Sequence, residues 1–510
     1  MKKVLLIFPR PISELPQSFA YLNSVFKSKG FVVKALVNTF NYYLTDEDIL
    51  REVVNFRPSV VGFNLGTLQL LSTYTLIQKI KALGYLVIAG GPHATTCPDE
   101  VLENGVDIVV RNEGELTVAE LCDNNFVNLE LIAGISYKKQ DGTIQHNPKR
   151  PYADFSILPK PSFDCFDVEK FITSEGVVKG LHRVYCSRGC IGLCEYCDSA
   201  IFGHKMRYKP LDDVIEEIKF RNKEYGMTSF TIADDTFTHD KEYVRQFCKR
   251  LKEENLNIIW NCSTRATSLN EELLKIMKDA GCYLIAFGIE SGDAESLKIM
   301  RKGITVEQSS KAVELVAKYG LRIFANFMAG FPWEDVSHIK NTTEFIKKHF
   351  NDVYVYQVSG CLVPYPGTGI YETYKEQLGK WWLHPDFQNF GQQIHQNSTE
   401  PYKVNTYYQR VLYDDTYIWE EKFFKYSKEY KKAVKEMAFL IGRRNLINDY
   451  PNKFKRFVVY QLCKLSRFVY ELNTNIEKKV IGTIMGILKH KSLFHDRMPL
   501  GAVPNKEKIK

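Results

Sequence analysis

The chain has 510 residues, of which 45% are hydrophobic, 13% aromatic and 25% charged, a composition that excludes intrinsic disorder and collagen-like repeats. Its length predicts about three domains. The formal net charge is +8, yet residues 401–510 alone hold 23 Lys and Arg against 11 Asp and Glu. A nucleic-acid footprint is therefore not expected on the body of the chain.

The first residues read as a strand and not as a targeting segment. MKKVLLIFPRPISELPQ reaches Pro9, Arg10 and Pro11 too early for the apolar region of a signal peptide. Twelve Cys in 510 residues is far below the density of a disulfide scaffold. We expect a cytoplasmic protein.

Residues 1–135 alternate short apolar runs with amphipathic stretches. The predicted strands are 3–8, 31–37, 60–65, 85–91 and 107–112, and the predicted helices are 19–29, 46–55, 72–83, 98–104 and 116–123. Regular alternation of this kind predicts a doubly wound parallel sheet, here Rossmann-like and close to the flavodoxin type. Such a sheet binds its ligand at the carboxyl ends of its strands.

Residues 136–180 change character, with a turn at Asp141-Gly142 followed by a proline-rich stretch. This pattern predicts a hairpin and an extended linker. Residues 181–375 then alternate again, with strands predicted at 182–187, 229–234, 257–263, 283–289, 322–329 and 353–359. Six such units predict a partial (βα)6 barrel of the TIM type, with its chemistry at the strand carboxyl ends.

Residues 376–510 form a predicted helical, basic C-terminal domain, with helices expected at 415–445, 453–472 and 475–490. Its cationic faces fit a solvated surface that caps the barrel, and also fit peripheral contact with a membrane. Trp381 and Trp382, near its start, suit either a domain interface or packing over a flat substrate.

Four of the twelve Cys lie within twelve residues, from Cys186 to Cys197. Cys190, Cys194 and Cys197 form C-x3-C-x2-C, a short loop whose three thiolates can bind three irons of a cubic iron–sulfur cluster. The fourth iron then stays open to another ligand. The alternatives are a zinc loop, which would need a second Cys pair or a His, and a closed cluster with Cys186 as the fourth thiolate.

This loop, placed after the first strand of a βα barrel, resembles that of the radical S-adenosylmethionine (radical SAM) enzymes. The upstream sheet makes the chain similar to their class with an N-terminal cobalamin-binding domain, and the resemblance runs from residue 1 to about 375. It implies three cofactors: a [4Fe-4S] cluster, S-adenosyl-L-methionine and cobalamin. In that class an electron from the cluster cleaves S-adenosylmethionine to methionine and a 5′-deoxyadenosyl radical, which abstracts a hydrogen atom from the substrate.

The resemblance also implies which residues contact S-adenosylmethionine at the strand ends. A carboxylate would face its ammonium group, an arginine its carboxylate and a glutamate its ribose, and an aromatic ring would pack beside the cluster. The matching positions are Tyr196, Asp234, Asp235, Arg265, Glu290 and Ser291. Capping of the strand ends is the alternative explanation for the acidic and basic residues.

For cobalamin, the resemblance points to the glycine-rich and polar strand ends of the first domain. The matching positions are Gly66, Thr67, Gly90, Gly91, His93, Glu113 and Glu115. The sequence has no Asp-x-His-x-x-Gly segment, which supplies a cobalt ligand in other cobalamin proteins. His93 is not expected to replace it, because a histidine at a strand end more often bonds to the backbone or to a ligand's periphery.

Three functions follow from these features. The favoured one is methylation of an unactivated carbon of a small-molecule or natural-product substrate, with an electron donor such as flavodoxin or ferredoxin. The second is a cyclase or oxidoreductase of the same class without net methyl transfer. The third, a tRNA methylthiotransferase, would need three more cluster cysteines, whereas residues 1–135 contain only Cys97 and Cys122.

Overall fold

A computed structural model describes most of the chain. The residues described are 2–12, 15–39, 44–68, 70–171, 177–178, 182–384 and 423–449, with a few single positions beyond. The predicted helices at 453–472 and 475–490 lie outside these residues, apart from positions 454, 457 and 461. The division of the chain at residues 135, 180 and 375 stays a prediction.

The N-terminal part folds into a seven-stranded sheet in the order β2-β1-β3-β4-β5-β6-β7. The strands are β1 (Lys3–Ile12), β2 (Val32–Thr39), β3 (Val60–Asn64), β4 (Leu86–Gly90), β5 (Ile108–Val110), β6 (Ile135–Lys138) and β7 (Ile144–His146). The helices are α1 (Gln17–Ser28), α2 (Asp46–Phe56), α3 (Leu70–Ala82), α4 (Pro92–Thr96), α5 (Pro98–Glu103) and α6 (Glu115–Asp123). The first five strands are parallel, and the predicted hairpin adds β6 and β7 antiparallel to the sheet edge.

This sheet has the flavodoxin-like order 2-1-3-4-5, with its topological switch point between β1 and β3. The strands are continuous apolar runs because helices cover both faces, and Val4, Leu5 and Ile7 are completely buried. The carboxyl ends of the strands consequently open into a crevice beside the switch point.

The second part begins with a short strand, β8 (Val177–Val178), and continues as a six-stranded parallel sheet in the order β16-β15-β14-β13-β12-β9. Its strands are β9 (Arg183–Val184), β12 (Ser229–Ile232), β13 (Ile259–Thr264), β14 (Cys282–Glu290), β15 (Arg322–Ala329) and β16 (Val355–Cys361). The helices are α7 (Leu211–Tyr225), α8 (Lys241–Glu253), α9 (Glu271–Asp279), α10 (Ala294–Ile299), α11 (Val306–Lys318), α12 (Val336–Lys348), α13 (Gly369–Thr373) and α14 (Lys375–Leu378). This part is the predicted partial barrel, so the expected α/β fold class is confirmed.

The first barrel strand differs from its prediction. Residues 182–187 form two short strands, because the chain leaves the barrel sheet after β9 and pairs as β10 (Ser187–Arg188) with β11 (Arg207–Tyr208). This antiparallel pair frames the cysteine loop. The loop therefore has a hydrogen-bonded base of its own beside the barrel.

The C-terminal helix α15 (Lys428–Asp449) covers the open edge of the barrel at β16 and α12. The Asn445 side chain accepts a hydrogen bond from the Tyr356 N–H at 3.1 Å and donates to the Tyr356 carbonyl at 2.8 Å, satisfying both backbone groups of an edge-strand residue. Another short strand, β17 (Val503–Pro504), pairs with β8. Among the described residues, no helix is both long and apolar enough to span a membrane.

Candidate active site

The cysteine loop lies between β10 and β11, with all three motif thiols partly exposed. The Cys190 N–H donates to the Gly203 carbonyl at 3.2 Å, and the Cys197 N–H donates to the Cys194 carbonyl at 3.1 Å. A Cβ atom added to Gly192 would lie 3.4 Å from the Cys190 Sγ and 3.6 Å from the Cys194 Sγ. The glycine thus keeps free the space beside two sulfurs, as a bulky inorganic cluster requires.

Cys186 lies apart from this set. Its side chain is completely buried in the core, and burial raises the pKa of its thiol well above the usual value. It packs as a small core residue between β9 and β10. Among the described residues, no three His, Cys, Asp or Glu side chains converge on a point that one metal ion could fill.

Tyr196 joins the loop to the end of β14 through Lys302. The Lys302 ammonium donates to the Tyr196 hydroxyl at 3.1 Å and to Glu290 Oε1 at 2.9 Å, and all three side chains are largely buried. Burial and the Glu290 charge raise the pKa of Tyr196, which keeps the phenol neutral. Glu290 itself has a φ of 66°, a strained left-handed conformation for a residue with a side chain.

Arg265 supports the loop from the end of β13. Its guanidinium donates to the Lys302 carbonyl, and its Nη1 would lie only 2.9 Å from a Cβ added to Gly192. The Thr236 hydroxyl, which is also buried, lies 3.9 Å from the Cys190 Sγ. Arg265 therefore places a fixed positive charge beside the thiols, where a thiolate cluster needs one.

The two aspartates at the end of β12 have different surroundings. Asp234 is buried and accepts hydrogen bonds from the Cys186 N–H at 2.8 Å and the Ser187 hydroxyl at 2.6 Å. Burial raises the pKa of Asp234 to about 7. These contacts fix β9 to β12, so both carboxylate oxygens already have protein partners.

Asp235 instead lines a large cavity together with Cys197 and Asp198. The surrounding protein raises the pKa of both carboxyl groups, and the nearby Asp198 raises that of Asp235 further. Asp235 is therefore the member of the predicted pair whose carboxyl group is open to a ligand. Ser291, by contrast, is buried and bonds to the Thr342 hydroxyl at 3.1 Å.

This cavity has a volume of about 870 Å³ and lies between the two sheets. One wall consists of strand ends and helix α1 of the first sheet, including Phe8, Phe19, Asn64, Gly90, Gly91 and Asn112. The facing wall belongs to the barrel and includes Arg183, Tyr185, Cys197, Asp198 and Asp235. A ligand at the switch point of the first sheet would consequently face the cysteine loop.

Four of the seven predicted cobalamin residues line this cavity, namely Gly90, Gly91, Glu113 and Glu115. Gly91 has a φ of 100°, and a Cβ there would lie 2.8 Å from the Leu65 carbonyl oxygen, so only glycine fits. Backbone forms this part of the wall, which allows a large ligand to approach closely.

Gly66, Thr67 and His93 are not among the described residues that line the cavity. His93 is completely buried, with Nδ1 3.3 Å from the Thr67 hydroxyl and Nε2 3.2 Å from Glu100 Oε1. Trp382 also donates to Glu100 Oε1, at 3.0 Å, and its indole lies edge-on to the His93 ring. A domain interface therefore contains Thr67, His93 and Trp382.

Glu100 is the centre of that interface. Burial alone would raise the pKa of its carboxyl, but hydrogen bonds from His93 and Trp382 outweigh it and lower the pKa to about 2. A carboxylate with this many donors is a satisfied buried anion. Sequence reasoning gave Glu100 no role, because its partner Trp382 is 282 residues away.

Glu113 and Glu115 reach the edge of the cavity, but their carboxylates pair with arginines. Arg188, on β10, lies 3.1 Å from Glu113 and 2.7 Å from Glu115, and Arg207, on β11, lies 2.8 Å from Glu113. Burial opposes ionisation, yet the bonds from Arg207 and Arg188 lower the pKa of Glu113. Lys302, Arg188 and Asp198 are functional candidates that the motifs did not indicate.

The sheet order, the barrel and the three-cysteine loop define the class of radical SAM enzymes with a cobalamin-binding domain. Residues 184–346 match the Radical SAM superfamily, and residues 14–122 match the B12 binding domain. The chain is 34% identical over 387 residues to the uncharacterized methyltransferase PH0819 of Pyrococcus horikoshii, which covers 72% of this chain and 82% of that protein. The chain therefore belongs to the radical SAM superfamily, and its cofactors are a [4Fe-4S] cluster, S-adenosylmethionine and cobalamin.

Two further relatives bear on the reaction and the fold. The anaerobic magnesium-protoporphyrin IX monomethyl ester cyclase of Rubrivivax gelatinosus is 26% identical over 344 residues, 64% of this chain and 61% of that protein. The cobalamin-dependent S-adenosylmethionine radical enzyme OxsB, solved with aqua-cobalamin and S-adenosylmethionine, superposes with a TM-score of 0.67 at 16% identity. The superposition covers 98% of this chain and 83% of that one. The latter similarity shows the shared fold.

Proposed function

We propose that this enzyme transfers a methyl group from S-adenosylmethionine, by way of cobalamin, to an unactivated carbon of a small-molecule substrate. The observation that carries the proposal is the single cavity that Gly90 and Gly91 of the first sheet share with Cys197 of the cysteine loop. One relative is named a cyclase, whereas the PH0819 relative, with its higher identity and coverage, is named a methyltransferase.

When bound, the cluster supplies the electron that cleaves S-adenosylmethionine, and cobalamin carries the methyl group. The chain's own part is to hold three irons with Cys190, Cys194 and Cys197 and to leave the fourth without a protein ligand. Gly192 leaves room beside these thiols, and the Arg265 guanidinium, which donates to the Lys302 carbonyl, offsets their negative charge.

Asp235 and Glu290 are the proposed acceptors for the donor groups of S-adenosylmethionine. Asp235 is open to the cavity, and its carboxylate would accept from an ammonium group. Glu290 is held by Lys302 at the end of β14, which presents a fixed carboxylate to a ribose hydroxyl. Arg265, which lies beside Gly192 of the cysteine loop, would meet the carboxylate of the ligand, and Tyr196 would meet an apolar face.

For cobalamin, we propose the strand ends Gly90 and Gly91 together with the polar Asn64 and Asn112. The glycines let the ligand approach the backbone, and the amide side chains suit its many amide groups. Glu113 and Glu115 are assigned to the wall of this site and not to direct ligand bonds, because Arg188 and Arg207 occupy their carboxylates.

The loop also has a surface suited to an electron donor such as flavodoxin or ferredoxin. Ile191 and Leu193 flank the thiols and are 43% and 50% exposed. His204 and Lys205 lie beside the loop, at Gly192 and Gly189. This apolar surface, with the cationic Lys205 beside it, suits an acidic carrier protein. Membrane contact through the basic tail falls mostly on residues that the structure does not describe, and it stays a prediction.

The two leading reactions differ in one product. A methyltransferase releases one S-adenosylhomocysteine for each methyl group transferred, whereas a cyclase or oxidoreductase forms 5′-deoxyadenosine without it. The experiment is anaerobic reconstitution with iron, sulfide and hydroxocobalamin, followed by assay of both products. Formation of S-adenosylhomocysteine supports methyl transfer, and 5′-deoxyadenosine alone supports the cyclase.

A methylthiotransferase is disfavoured by the surroundings of the N-terminal cysteines. Cys122 is buried in the sheet core, and burial raises the pKa of its thiol to about 12. Cys97 is also removed from water, which raises the pKa of that thiol to about 11. Neither thiol is prepared to ionise and bind a second cluster.

A further inference from the structure

We propose that the buried ion cluster of Glu113, Glu115, Arg188 and Arg207 is a positioning device that fixes the cysteine loop against the cobalamin cavity. We call these four residues the inter-sheet ion cluster. The inference rests on the proposed function, because it assigns the cluster to the alignment of two cofactor sites. Nothing in the family motifs indicates these arginines.

The contacts join the first sheet to the β10–β11 pair that frames the cysteine loop. Arg188 spans two carboxylates, with its Nη1 3.1 Å from Glu113 Oε1 and its Nη2 2.7 Å from Glu115 Oε1. Arg207 donates hydrogen bonds to Glu113 from both terminal nitrogens, at 2.8 and 2.9 Å. Planar forks of this kind fix direction as well as distance, which a lysine does not.

The cluster is shielded from water on several sides. The four side chains are between 6% and 14% exposed. The Arg188 guanidinium lies 5.0 Å from the centre of the Tyr21 ring and 5.1 Å from that of Phe155. Buried ion pairs often add little net stability compared with apolar residues, and their best-supported benefit is to specify one geometry.

The positions of these residues link the cavity wall to the first cluster thiol. Glu113 and Glu115 follow β5 and line the cavity, whereas Arg188 lies only two residues before Cys190. The intervening Gly189 has a φ of 94°, and a Cβ there would lie 2.4 Å from the Lys205 carbonyl oxygen. The chain between Arg188 and Cys190 is therefore tightly packed, so a displaced Arg188 displaces the thiol.

The linker between the sheets is part of the same arrangement. The Ala153 N–H donates to Glu113 Oε2 at 3.1 Å, and Arg207 donates to the Ala153 carbonyl at 2.9 Å. The exposed Lys149 precedes this anchored segment, and the Lys149–Arg150 bond is its trypsin site, because Arg150 and Lys160 are each followed by a proline that blocks cleavage. Loosening of the ion cluster should therefore speed cleavage of the linker at the Lys149–Arg150 bond.

The test compares Arg188→Lys and Glu115→Gln with the matched control Arg221→Lys. Arg221 is also buried, pairs with Glu217 of its own helix α7, and lies over the Phe163 ring. In the cofactor-free protein, we expect the first two variants to be cleaved in the linker at least about tenfold faster than the unsubstituted chain and the control.

In the reconstituted protein without substrate, with dithionite as the reductant, cleavage of S-adenosylmethionine to methionine and 5′-deoxyadenosine needs only the iron–sulfur site. A single turnover to S-adenosylhomocysteine, whose methyl group passes to the reduced cobalamin, also needs aligned cobalamin. We expect both variants to keep the iron and cobalamin content of the unsubstituted chain and to lose about tenfold in S-adenosylhomocysteine relative to 5′-deoxyadenosine.

An unchanged product ratio and an unchanged rate of linker cleavage in both variants would overturn the proposal. So would equal effects in Arg221→Lys, because they would show a general loss of stability. If Arg188→Lys fails to fold, the test rests on Glu115→Gln, because this substitution keeps the size of the side chain. Failure of the proposed function would appear differently: the unsubstituted chain would form no S-adenosylhomocysteine, and the trypsin comparison would still stand.

Discussion

The thiols of the cysteine loop have different environments from that of Cys186, four residues before Cys190. Substitution of Cys190, Cys194 or Cys197 by Ala should abolish 5′-deoxyadenosine formation and remove most of the bound iron, since each thiolate holds one iron. Cys186→Ala should retain both and lose about 1 kcal/mol of stability from the core. Iron analysis and product assay of the four reconstituted variants make the comparison.

The result that contradicts this assignment is specific. If Cys186→Ala loses iron as completely as the loop variants do, the cluster has four protein thiolates and the fourth iron is closed. S-adenosylmethionine would then have no iron to bind.

Gly91 and Gly84 share a positive φ but differ in what surrounds them. A Cβ at Gly91 would meet the Leu65 carbonyl oxygen at 2.8 Å, whereas one at Gly84 would have no neighbour within 4 Å. Gly84→Ala should therefore lower the free energy of unfolding by about 1 kcal/mol through backbone strain alone. Gly91→Ala should lower it by roughly 2–4 kcal/mol. Urea unfolding measures both, and absorbance titration with hydroxocobalamin should show weaker binding only for Gly91→Ala.

Equal stability losses in the two variants would contradict the assigned close packing at Gly91. Undiminished cobalamin binding by Gly91→Ala would remove this strand end from the proposed cobalamin site.

Residue types and spacing were sufficient to find the thiols, because a three-cysteine loop is local in sequence. They were insufficient for His93, Glu113 and Glu115, whose partners come from distant segments. Glu113 and Arg188 are 75 residues apart, and nothing near Glu113 indicates that its carboxylate is already neutralised.

Among the elements, α15 is fixed to the barrel through a buried carboxyl group. Glu334 Oε2 accepts hydrogen bonds from the Gly330 N–H at 2.9 Å and from the Tyr430 hydroxyl of α15 at 2.7 Å. Burial raises the pKa of Glu334 to about 7, although the bond from Tyr430 acts in the opposite direction. The folded chain therefore holds a proton here that the unfolded chain has already released above about pH 4.5.

This difference predicts the sign of a pH effect. Because the pKa is higher in the folded state, the contribution of Glu334 to the free energy of unfolding should fall as the pH rises from about 4.5 to 7, by up to roughly 3 kcal/mol. Glu334→Gln should remove that part of the slope, and Glu253→Gln, at an exposed glutamate, serves as the control. Denaturant unfolding at pH 5 and pH 7.5 provides the measurement, and identical slopes in all three proteins would contradict the assignment.

Most elements could be predicted from hydrophobic periodicity, since buried parallel strands are continuous apolar runs. The failures have physical causes. Helix α4 (Pro92–Thr96) has only five residues and no apolar periodicity, and Gly91 before it was predicted as the last residue of the preceding strand. The first barrel strand was predicted as one element because a departure of the chain at Cys186 leaves no mark in an apolar pattern.

In the whole molecule, the first sheet and the barrel face each other across the described cavity, and two sets of contacts connect the first domain to the rest of the chain. The inter-sheet ion cluster connects it to the β10–β11 pair, and the His93, Glu100 and Trp382 contacts form a second junction. The distance between the strand ends of the first sheet and the cysteine loop depends on how the domains pack. The sequence could therefore predict each domain but not the cavity between them.

The second junction gives a prediction of its own. Trp382→Phe keeps an aromatic side chain, although a smaller one, and removes the indole N–H donated to Glu100. It should destabilise the chain by about 1–3 kcal/mol, as expected for a buried charge that loses a donor. Trp260→Phe removes a comparable buried indole bond, to the Ala280 carbonyl inside the barrel, and is the matched control. Thermal unfolding of both variants measures the loss, and iron content should stay unchanged in Trp382→Phe. An unchanged unfolding temperature in Trp382→Phe would show that the junction does not contribute to stability.

We propose that cobalamin occupies the cavity beside the cysteine loop, so that it lies next to the iron–sulfur cluster within one enzyme. Pulsed electron paramagnetic resonance on the anaerobic, reconstituted protein measures the magnetic coupling between Co(II) of bound cobalamin and the reduced cluster. The structure predicts strong coupling and one narrow distance, because Cys197 and Gly91 line the same cavity. Spectra without magnetic coupling, from a protein that carries both cofactors, would show that cobalamin does not lie beside the cluster.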